Sequence, residues 1–332
     1  MPSLADIARL AGVSTWTVSI ALRDKPGVSP EVRARIKAIA DEYQYTPRRT
    51  AKPPVDDPHT LVGVITHSDI GPFVTDILQG AIGQANHDRL HLVVLQVRIE
   101  DAPHYRLAVR DLITTGVKGI LLINGKTEPL PHELLMSMWS GGVYPVVMQH
   151  AYFVSPCDRV VIQHRDVFRL AAGYLASLRH RDIACISYPG MQTYLDGFAG
   201  ELEAHGLRLT ASAFVNESDV TGAFDRLRSG GERFTALCLQ DVWAWQVLAR
   251  INELGMRVPE DFSLLGMASI YDGDFIPQLT TIEQFPRRIG REAIILLNQR
   301  LSEACHPREV RPRTITIKPE LVIRRSCGPT RA

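Results

Sequence analysis

The sequence predicts a mixed α/β protein, in which a small helical N-terminal region precedes a larger body of two doubly wound, parallel α/β subdomains. Three helical patterns occupy the first 47 residues. From Thr60 onward, short and nearly continuous apolar runs alternate with helical patterns, which is typical of parallel sheets covered by helices on both faces. About nine such runs are too many for one doubly wound sheet, so we expect two similar subdomains with a cleft between them.

The first helical pattern and the turn after it resemble the opening of a helix-turn-helix. Leu4, Ile7, Ala8 and Ala11 recur at spacings of three and four, which predicts a helix with one apolar face. Gly12 follows at the point where a turn can use a positive φ. The small side chains at the end of this helix would allow a second helix to cross it closely.

The second and third helical patterns complete a three-helix headpiece. Ser14 is placed to cap a helix that turns Val18 and Ala21 inward, and Ser29 followed by Pro30 marks the start of the third helix. A second helix held in this way lies in the major groove of DNA with its N-terminal residues at the base edges. We therefore expect Thr15, Trp16 and Ile20 to read bases. We expect phosphate contacts from Ser14, Thr17, Ser19, Ser29, Arg48 and Arg49.

Charge is distributed in a way that favours DNA binding by the N-terminal region. Residues 1–52 contain nine Lys and Arg against five Asp and Glu, a net charge of +4, while the remainder contains 28 against 31, a net charge of −3. A basic headpiece on a mildly acidic body fits a headpiece that binds phosphates.

A proline-rich linker is predicted at residues 48–59, because four prolines fall between Thr46 and His59. In the body, the spacing of Phe73, Ile77, Ala81 and Ala85 predicts one helix. A second pattern joins Val242, either Trp245 or Gln246, and Ala249. The predicted strands are 61–66, 92–97, 119–123, 145–149, 160–163, 183–187, 236–240, 263–268 and 314–317.

Composition argues against several other classes of protein. The five cysteines are widely spaced without a CxxC motif, so neither a disulfide framework nor a zinc ribbon is expected, and Cys185 and Cys238 are interpreted as core residues. No apolar run approaches the roughly 20 residues of a membrane span, and no secretory signal is visible, so we expect a cytoplasmic protein. The sequence has no GxGxxG, P-loop or GxSxG motif, and we expect no enzyme activity, cofactor or metal.

The segment LADIARLAGVSTWTVSIALRDKPGVSPEVRARIKAIADEYQYTP resembles the headpiece of the lactose-repressor (LacI/GalR) family of bacterial transcriptional regulators. The resemblance continues through GVKGILLI, HRDIACIS, PQLTTIEQ and PELVIRRS. It implies a headpiece over 1–47, a hinge over 48–59, and a periplasmic-binding-protein-like core over 60–326 followed by the tail 327–332. The implied first subdomain comprises about 60–162 plus 286–312, and the second about 163–285 plus 313–326.

Two departures from the family concern DNA binding. Many members carry arginine at the position of Ile20, where it can bind guanine, whereas Ile20 can contact only the thymine methyl group. The family's hinge helix usually ends in a leucine that enters the minor groove, and Pro54 takes that position here. We expect no hinge helix, and the linker to be either a polyproline-like tether or disordered.

The third departure concerns the effector cleft. Sugar-binding members carry arginine, Asn-Asp and Asp-Asp where this chain has Tyr194, Gln240-Asp241 and Ala268-Ser269. The expected cleft lining is therefore aromatic and neutral-polar, apart from Asp241 and the histidines, which can titrate. It comprises His67, Phe73, His150, Tyr194, Gln240, Asp241 and Ser269.

Together these features predict a homodimeric regulator, most simply a repressor, that binds a near-palindromic double-stranded DNA operator. A small effector, a sugar or another metabolite, would bind between the subdomains and modulate operator affinity. Two alternatives remain open. One is a regulator with a degenerate, ligand-independent core, and the other is a ligand-binding protein without DNA function.

Overall fold

The computed structural model describes the chain in two compact units, a helical N-terminal unit and a larger α/β core. The described residues are 4–22, 28–42, 60–67, 71–97, 102–123, 132–150, 156–215, 219–231, 233–268, 278–303, 305–307, 309 and 311–330. Within them, side chains are not described at 4–7, 15, 16, 19, 41, 42, 67, 102, 103, 149 and 150. The predicted linker therefore lies outside the described residues.

The N-terminal unit contains three short helices, α1 (Leu4–Ala11), α2 (Thr15–Leu22) and α3 (Pro30–Glu42). Their shared core is made of small and branched apolar side chains, all buried: Ala8, Ala11, Val18, Ala21, Ile36 and Ala40. Alanines at the crossings let the helix backbones approach one another closely. The inward positions predicted for α1 and α2 are confirmed wherever their side chains are described.

The core contains eight further helices and twelve strands among its described residues. The helices are α4 (Pro72–His87), α5 (Ala102–Thr115), α6 (His132–Ser140), α7 (His164–Ser177), α8 (Gln192–Ala204), α9 (Val220–Ser229), α10 (Ala244–Glu253) and α11 (Pro286–Leu301). The strands are β1 (Leu61–His67), β2 (His91–Val97), β3 (Gly119–Ile123), β4 (Tyr144–His150), β5 (Asp158–Ile162), β6 (Asp182–Ser187), β7 (Arg208–Phe214), β8 (Ala236–Leu239), β9 (Ser263–Gly266), β10 (Thr280–Glu283), β11 (Thr314–Ile317) and β12 (Glu320–Val322).

The strands form two six-stranded sheets. The first has the order β11-β5-β4-β3-β1-β2 and is parallel throughout. The second has the order β12-β10-β9-β8-β6-β7 and is parallel except at β12, which pairs antiparallel with β10. Apolar side chains fill both faces of each sheet, as near-continuous apolar strands require. The predicted fold class is confirmed.

The chain passes between the two sheets three times: after β5, after β10 and after β11. The third passage corrects the expected subdomain limits, because Thr314–Ile317 was assigned to the second subdomain. This strand instead pairs with β5, in the register Ile315 to Val160, and belongs to the first sheet. The return to the second sheet comes only at β12, Glu320–Val322.

Helix α10 shows the opposite face to the one that the sequence pattern predicted. Its buried side chains are Ala244, Val247, Leu248 and Ile251. Trp245, which was grouped with an apolar stripe, is 55% exposed. Trp245 and Ala244 both fit an apolar helical period, so the pattern alone could not decide which face of α10 packs on the sheet.

Cys185 and Cys238 are core residues, as the sequence indicated. They occupy paired positions on the neighbouring strands β6 and β8 and are buried. Burial raises the pKa of the Cys185 thiol to about 12, so this thiol stays protonated and unreactive at neutral pH.

A buried histidine fastens the C-terminal segment to the second sheet. His180 Nε2 lies 3.1 Å from the carbonyl oxygen of Gly328, which requires this nitrogen to carry the proton. Nδ1 then accepts a hydrogen bond from the hydroxyl of Thr235 at 2.7 Å. Ser263 Oγ accepts the backbone N–H of Gly328 at 3.1 Å and completes the cluster. The neutral ring therefore links the start of β6 to the C-terminal tail.

This cluster should make folding stability depend on pH. Burial lowers the pKa of His180 below its ordinary value of 6.5, so the unfolded chain takes up the proton first as the pH falls. The contribution of neutral His180 to the free energy of unfolding is complete above pH 6.5. It decreases as the pH falls from 6.5 toward the lowered pKa of the folded protein. Urea unfolding at about pH 7.5 and about pH 5.5 should show a smaller pH effect in His180→Gln than in the wild type. Equal pH effects in both proteins would contradict this assignment.

Candidate DNA interface and effector cleft

The turn between α1 and α2 is closed by local hydrogen bonds that the sequence indicated. Gly12 adopts φ 65°, and the N–H of Val13 donates to the carbonyl oxygen of Ala8 at 3.0 Å. Such a left-handed glycine ends a helix without strain. Ser14 Oγ accepts the N–H of Thr17 at 3.1 Å and so caps α2.

The position of α2 separates an inward face from an outward one. Val18 and Ala21 are fully buried. In a helix of 3.6 residues per turn, positions 16 and 20 lie on one face, opposite Val18. Ile20 is half-buried. The side chains of Thr15, Trp16 and Ser19 lie outside the described set, so base reading by Thr15, Trp16 and Ile20 stays a prediction.

The predicted phosphate-binding hydroxyls also serve as helix caps. Ser14 Oγ and Thr17 Oγ1 are 2.8 Å apart and share a hydrogen bond. Ser29 Oγ accepts the N–H of Val32 at 3.4 Å at the start of α3. Ser14 and Ser29 remain exposed, so each hydroxyl can still meet a phosphate oxygen. Arg48 and Arg49 lie outside the described residues.

Two arginines of α3 take part in the headpiece in a way that sequence reasoning missed. Arg33 Nη1 donates to the carbonyl oxygens of Ala21 at 3.0 Å and Ile20 at 3.4 Å. Arg35 Nη2 donates to the carbonyl oxygen of Ala11 at 2.9 Å. The available signal was that the last turn of α2 contains no basic residue, which leaves its carboxyl end to be stabilised from elsewhere.

Most predicted effector residues lie at the carboxyl ends of parallel strands. In the first sheet His67 ends β1, His150 ends β4, and Phe73 is in the first turn of α4, where it is half-buried. Ligands of doubly wound sheets bind in the crevice at this edge. The side chains of His67 and His150 are outside the described set and Ser269 lies outside the described residues, so their roles stay predictions.

Tyr194 is buried rather than open to solvent. It stands in the first turn of α8 and is 4% exposed. Its ring meets Phe168 edge-on with centroids 4.6 Å apart, and His164 at 5.3 Å. This aromatic cluster occupies the position at which sugar-binding members were expected to carry arginine. Such ring contacts stabilise the fold beyond the area that they bury.

Asp241 links three neighbouring strands of the second sheet. It follows β8 and is 1% exposed. Its Oδ1 accepts the N–H of Ala268, just after β9, at 2.9 Å and the hydroxyl of Thr281 in β10 at 3.0 Å. The half-buried Gln240 precedes Asp241.

Three buried polar atoms near these strand ends have no hydrogen-bond partner among the described residues. They are Thr66 Oγ1 near the end of β1, Ser187 Oγ at the end of β6, and Trp243 Nε1 after β8. Leaving such groups unpaired costs free energy, so polar partners are expected beside them. Their position at the carboxyl edges is compatible with a polar small molecule or ordered water.

Comparison with known proteins identifies both units. The model of "Bacterial regulatory proteins, lacI family" matches residues 3–48, and the model of a "Periplasmic binding protein-like domain" matches residues 172–327. The chain therefore combines a lacI-family DNA-binding domain with a periplasmic-binding-protein-like domain. Curated relatives agree over their full length. One is the HTH-type transcriptional repressor PurR of Vibrio vulnificus, 28% identical over 337 residues that cover 98% of each chain.

Solved structures support the same lacI-family architecture. The lac repressor dimer bound to operator and the anti-inducer ONPF matches with a TM-score of 0.69 and 25% identity, covering 98% of this chain and 99% of that one. The transcriptional regulator CelR–cellobiose complex matches with a TM-score of 0.67 and 23% identity, over 98% of this chain and all of that one, and shows the fold. The PurR relatives are named as transcriptional repressors.

No group of three or more His, Cys, Asp or Glu in the described residues could hold a metal ion. No helix in the described part of the chain is long and apolar enough to cross a membrane.

Proposed function

We propose that this protein is a sequence-specific DNA-binding transcriptional repressor whose operator affinity is set by a small effector. The headpiece carries this proposal. A capped, glycine-ended turn joins α1 to α2, α3 braces both helices, and the lacI-family model matches the same segment. Relatives named as repressors over the whole length support the same function. Such a regulator acts in the cytoplasm and needs no catalysis.

DNA reading depends on the outward face of α2. Because Val18 and Ala21 are buried, the face at positions 16 and 20 is the one available to base edges. Ile20 offers a methyl contact to thymine, while Thr15 and Trp16 supply the rest of the readout. Ser14, Thr17, Ser19 and Ser29 fix the register on the phosphates, with Arg48 and Arg49 adding charge.

The effector proposal depends on the carboxyl edges of the two sheets. His67, Phe73 and His150 at one edge, and Gln240 and the segment after Ala268 at the other, would line the cleft. Tyr194 is buried in its aromatic cluster, and Asp241 is hydrogen-bonded to Ala268 and Thr281. We therefore propose that Tyr194 and Asp241 shape the cleft wall more than they bind ligand. An effector that prefers one relative orientation of the subdomains shifts operator affinity by about 1–3 kcal/mol.

Selection of binding sites from random duplex DNA tests the DNA function directly. The full-length protein should enrich a near-palindromic site, since two headpieces of a homodimer meet two half-sites. A thermal-shift screen of sugars and other metabolites then separates an effector-responsive core from a ligand-independent one. A protein that binds a metabolite but enriches no duplex would be a ligand-binding protein without DNA function.

The homodimer should bury one part of the exposed apolar surface of the core. Trp245 is the most exposed aromatic residue among those described, and tryptophan is enriched at the energetic centres of interfaces. The other large exposed apolar side chains of the described core are Ile82, Val94, Leu107, Phe214, Leu254 and Ile323. We propose that Trp245 contacts a second copy of the chain.

Replacing Trp245 with glutamate should weaken self-association by about 30-fold or more, because a charged group would replace an interface anchor. Sedimentation equilibrium of the full-length protein measures this effect. Leu254→Glu is the control, since position 254 lies two and a half turns further along, on the opposite side. A Trp245→Glu protein that dimerises as strongly as the wild type, or no more weakly than Leu254→Glu, would rule out a role for Trp245.

A further inference from the structure

The recognition helix α2 depends on another helix for its carboxyl end. It has only eight residues and no basic side chain in its last turn. The last four carbonyl groups of any helix have no donor within that helix, and a helix this short is marginal on its own. Arg33 supplies donors to two of these carbonyls, those of Ile20 and Ala21.

Arg33 is itself held firmly in the headpiece. It stands in the first turn of α3, where its backbone N–H donates to the carbonyl oxygen of Ser29 at 2.9 Å. The neighbouring Val32 packs against the headpiece core. A guanidinium carried by a fixed helix start makes charge-assisted hydrogen bonds, and a cation at a helix carboxyl end also interacts favourably with the helix dipole.

Helix α1 provides a contrast, because it is capped by its own sequence. Gly12 and Val13 return their N–H groups to the carbonyl oxygens of Arg9 and Ala8. Arg9 lies in the last turn of α1. The bond from Arg35 to Ala11 therefore adds to an end that is already stabilised, whereas the Arg33 bonds serve an end whose last turn contains no basic residue.

We propose that Arg33 is a positioning residue for DNA recognition, which fixes the angle at which α2 presents its outward face to the bases. This inference rests on the proposed DNA-binding function. It assigns Arg33 an action through the carbonyls of Ile20 and Ala21, and not through a DNA phosphate.

The test compares full-length wild type, Arg33→Ala, Arg33→Lys and Arg35→Ala on two duplexes of equal length. One is the site that the wild type enriches from random DNA and the other is an unrelated sequence. Dissociation constants are measured over a range of salt concentrations. Each alanine variant removes one positive charge from α3, so Arg35→Ala controls for the general electrostatic contribution.

Arg33→Ala should lower the ratio of specific to nonspecific affinity by about tenfold or more, as expected for loss of charge-assisted hydrogen bonds. The slope of log affinity against log salt should match that of Arg35→Ala, whose affinity ratio should stay within about twofold of wild type. Arg33→Lys should be intermediate, because lysine keeps the charge and loses the planar set of donors.

Three results would overturn the inference. One is a ratio of specific to nonspecific affinity that is the same in Arg33→Ala and Arg35→Ala. Another is that Arg33→Ala loses affinity equally for both duplexes and that its slope of log affinity against log salt is smaller than that of Arg35→Ala by about one phosphate contact. The third applies if circular dichroism shows that Arg33→Ala is unfolded. In that case, a folded Arg33→Lys protein with the same ratio of specific to nonspecific affinity as the wild type would overturn the inference. A wild type that prefers no duplex rejects the proposed function itself, which is a different outcome from any of these.

Discussion

Replacing Arg300 with alanine is expected to reduce the free energy of unfolding by about 3–5 kcal/mol, because it would leave a buried carboxylate without its cation. Arg300 and Asp158 form a bidentate pair whose side chains are 3% and 5% exposed, with Nε 2.5 Å from Oδ2 and Nη2 2.8 Å from Oδ1. Asp158 Oδ1 also accepts the N–H of Arg313, and Arg300 donates to the carbonyl oxygen of Arg311. The pair thus joins α11, β5 and the approach to β11.

Urea unfolding of the core measures this loss. Arg287→Ala provides the control, because the pair between Arg287 and Asp76 lies at the surface, where such pairs contribute at most about 1 kcal/mol. Equal losses in the two variants would show that burial does not strengthen the Arg300 pair.

Gly80→Ala is expected to destabilise the first subdomain by about 3 kcal/mol or more, as a severe case of overpacking. A Cβ atom at Gly80 would lie 1.9 Å from the carbonyl oxygen of Arg287, and one at Gly290 would lie 1.9 Å from that of Ile77. The backbones of α4 and α11 therefore touch through paired glycines, and any side chain there must push the helices apart.

The same helix contains a matched control. Gly83 also lies in α4, but nothing is within 4 Å of a Cβ placed there. Gly83→Ala should stabilise the protein by about 0.5–1 kcal/mol through the higher helix propensity of alanine. Thermal unfolding of both variants decides the matter. A Gly80→Ala protein as stable as Gly83→Ala would contradict the close crossing of α4 and α11.

Much of the fold could be predicted because local patterns and packing agree. Leu4–Ala11 was placed correctly because its apolar spacing, Gly12 and Ser14 all indicate the same helix and turn. Strand β3 was found because all five of its residues are apolar and buried. Strand β7 was missed, since it is an edge strand with a mixed, half-exposed sequence, and β12 has only three residues. Their assignment depends on pairing partners that no local pattern reveals.

The candidate sites were less predictable because side-chain contacts decide them. Tyr194 was expected to line the cleft, but it is buried in the first turn of α8 and packs on Phe168, which lies 26 positions away in the sequence. Asp241 was expected to line the cleft, and its bonds to Ala268 and Thr281 join positions 27 and 40 residues apart in the sequence. Arg33 carried no motif of its own, and its role depends on where α3 places it against α2.

The most direct test of DNA recognition by α2 is the binding-site logo of Trp16→Ala compared with that of the wild type. We predict that the wild type binds its selected duplex about 10³-fold or more tightly than random DNA, and that the variant loses information at specific base positions while keeping nonspecific affinity. An unchanged logo would remove Trp16 from the readout. A wild-type protein without preference for any duplex would contradict the central claim.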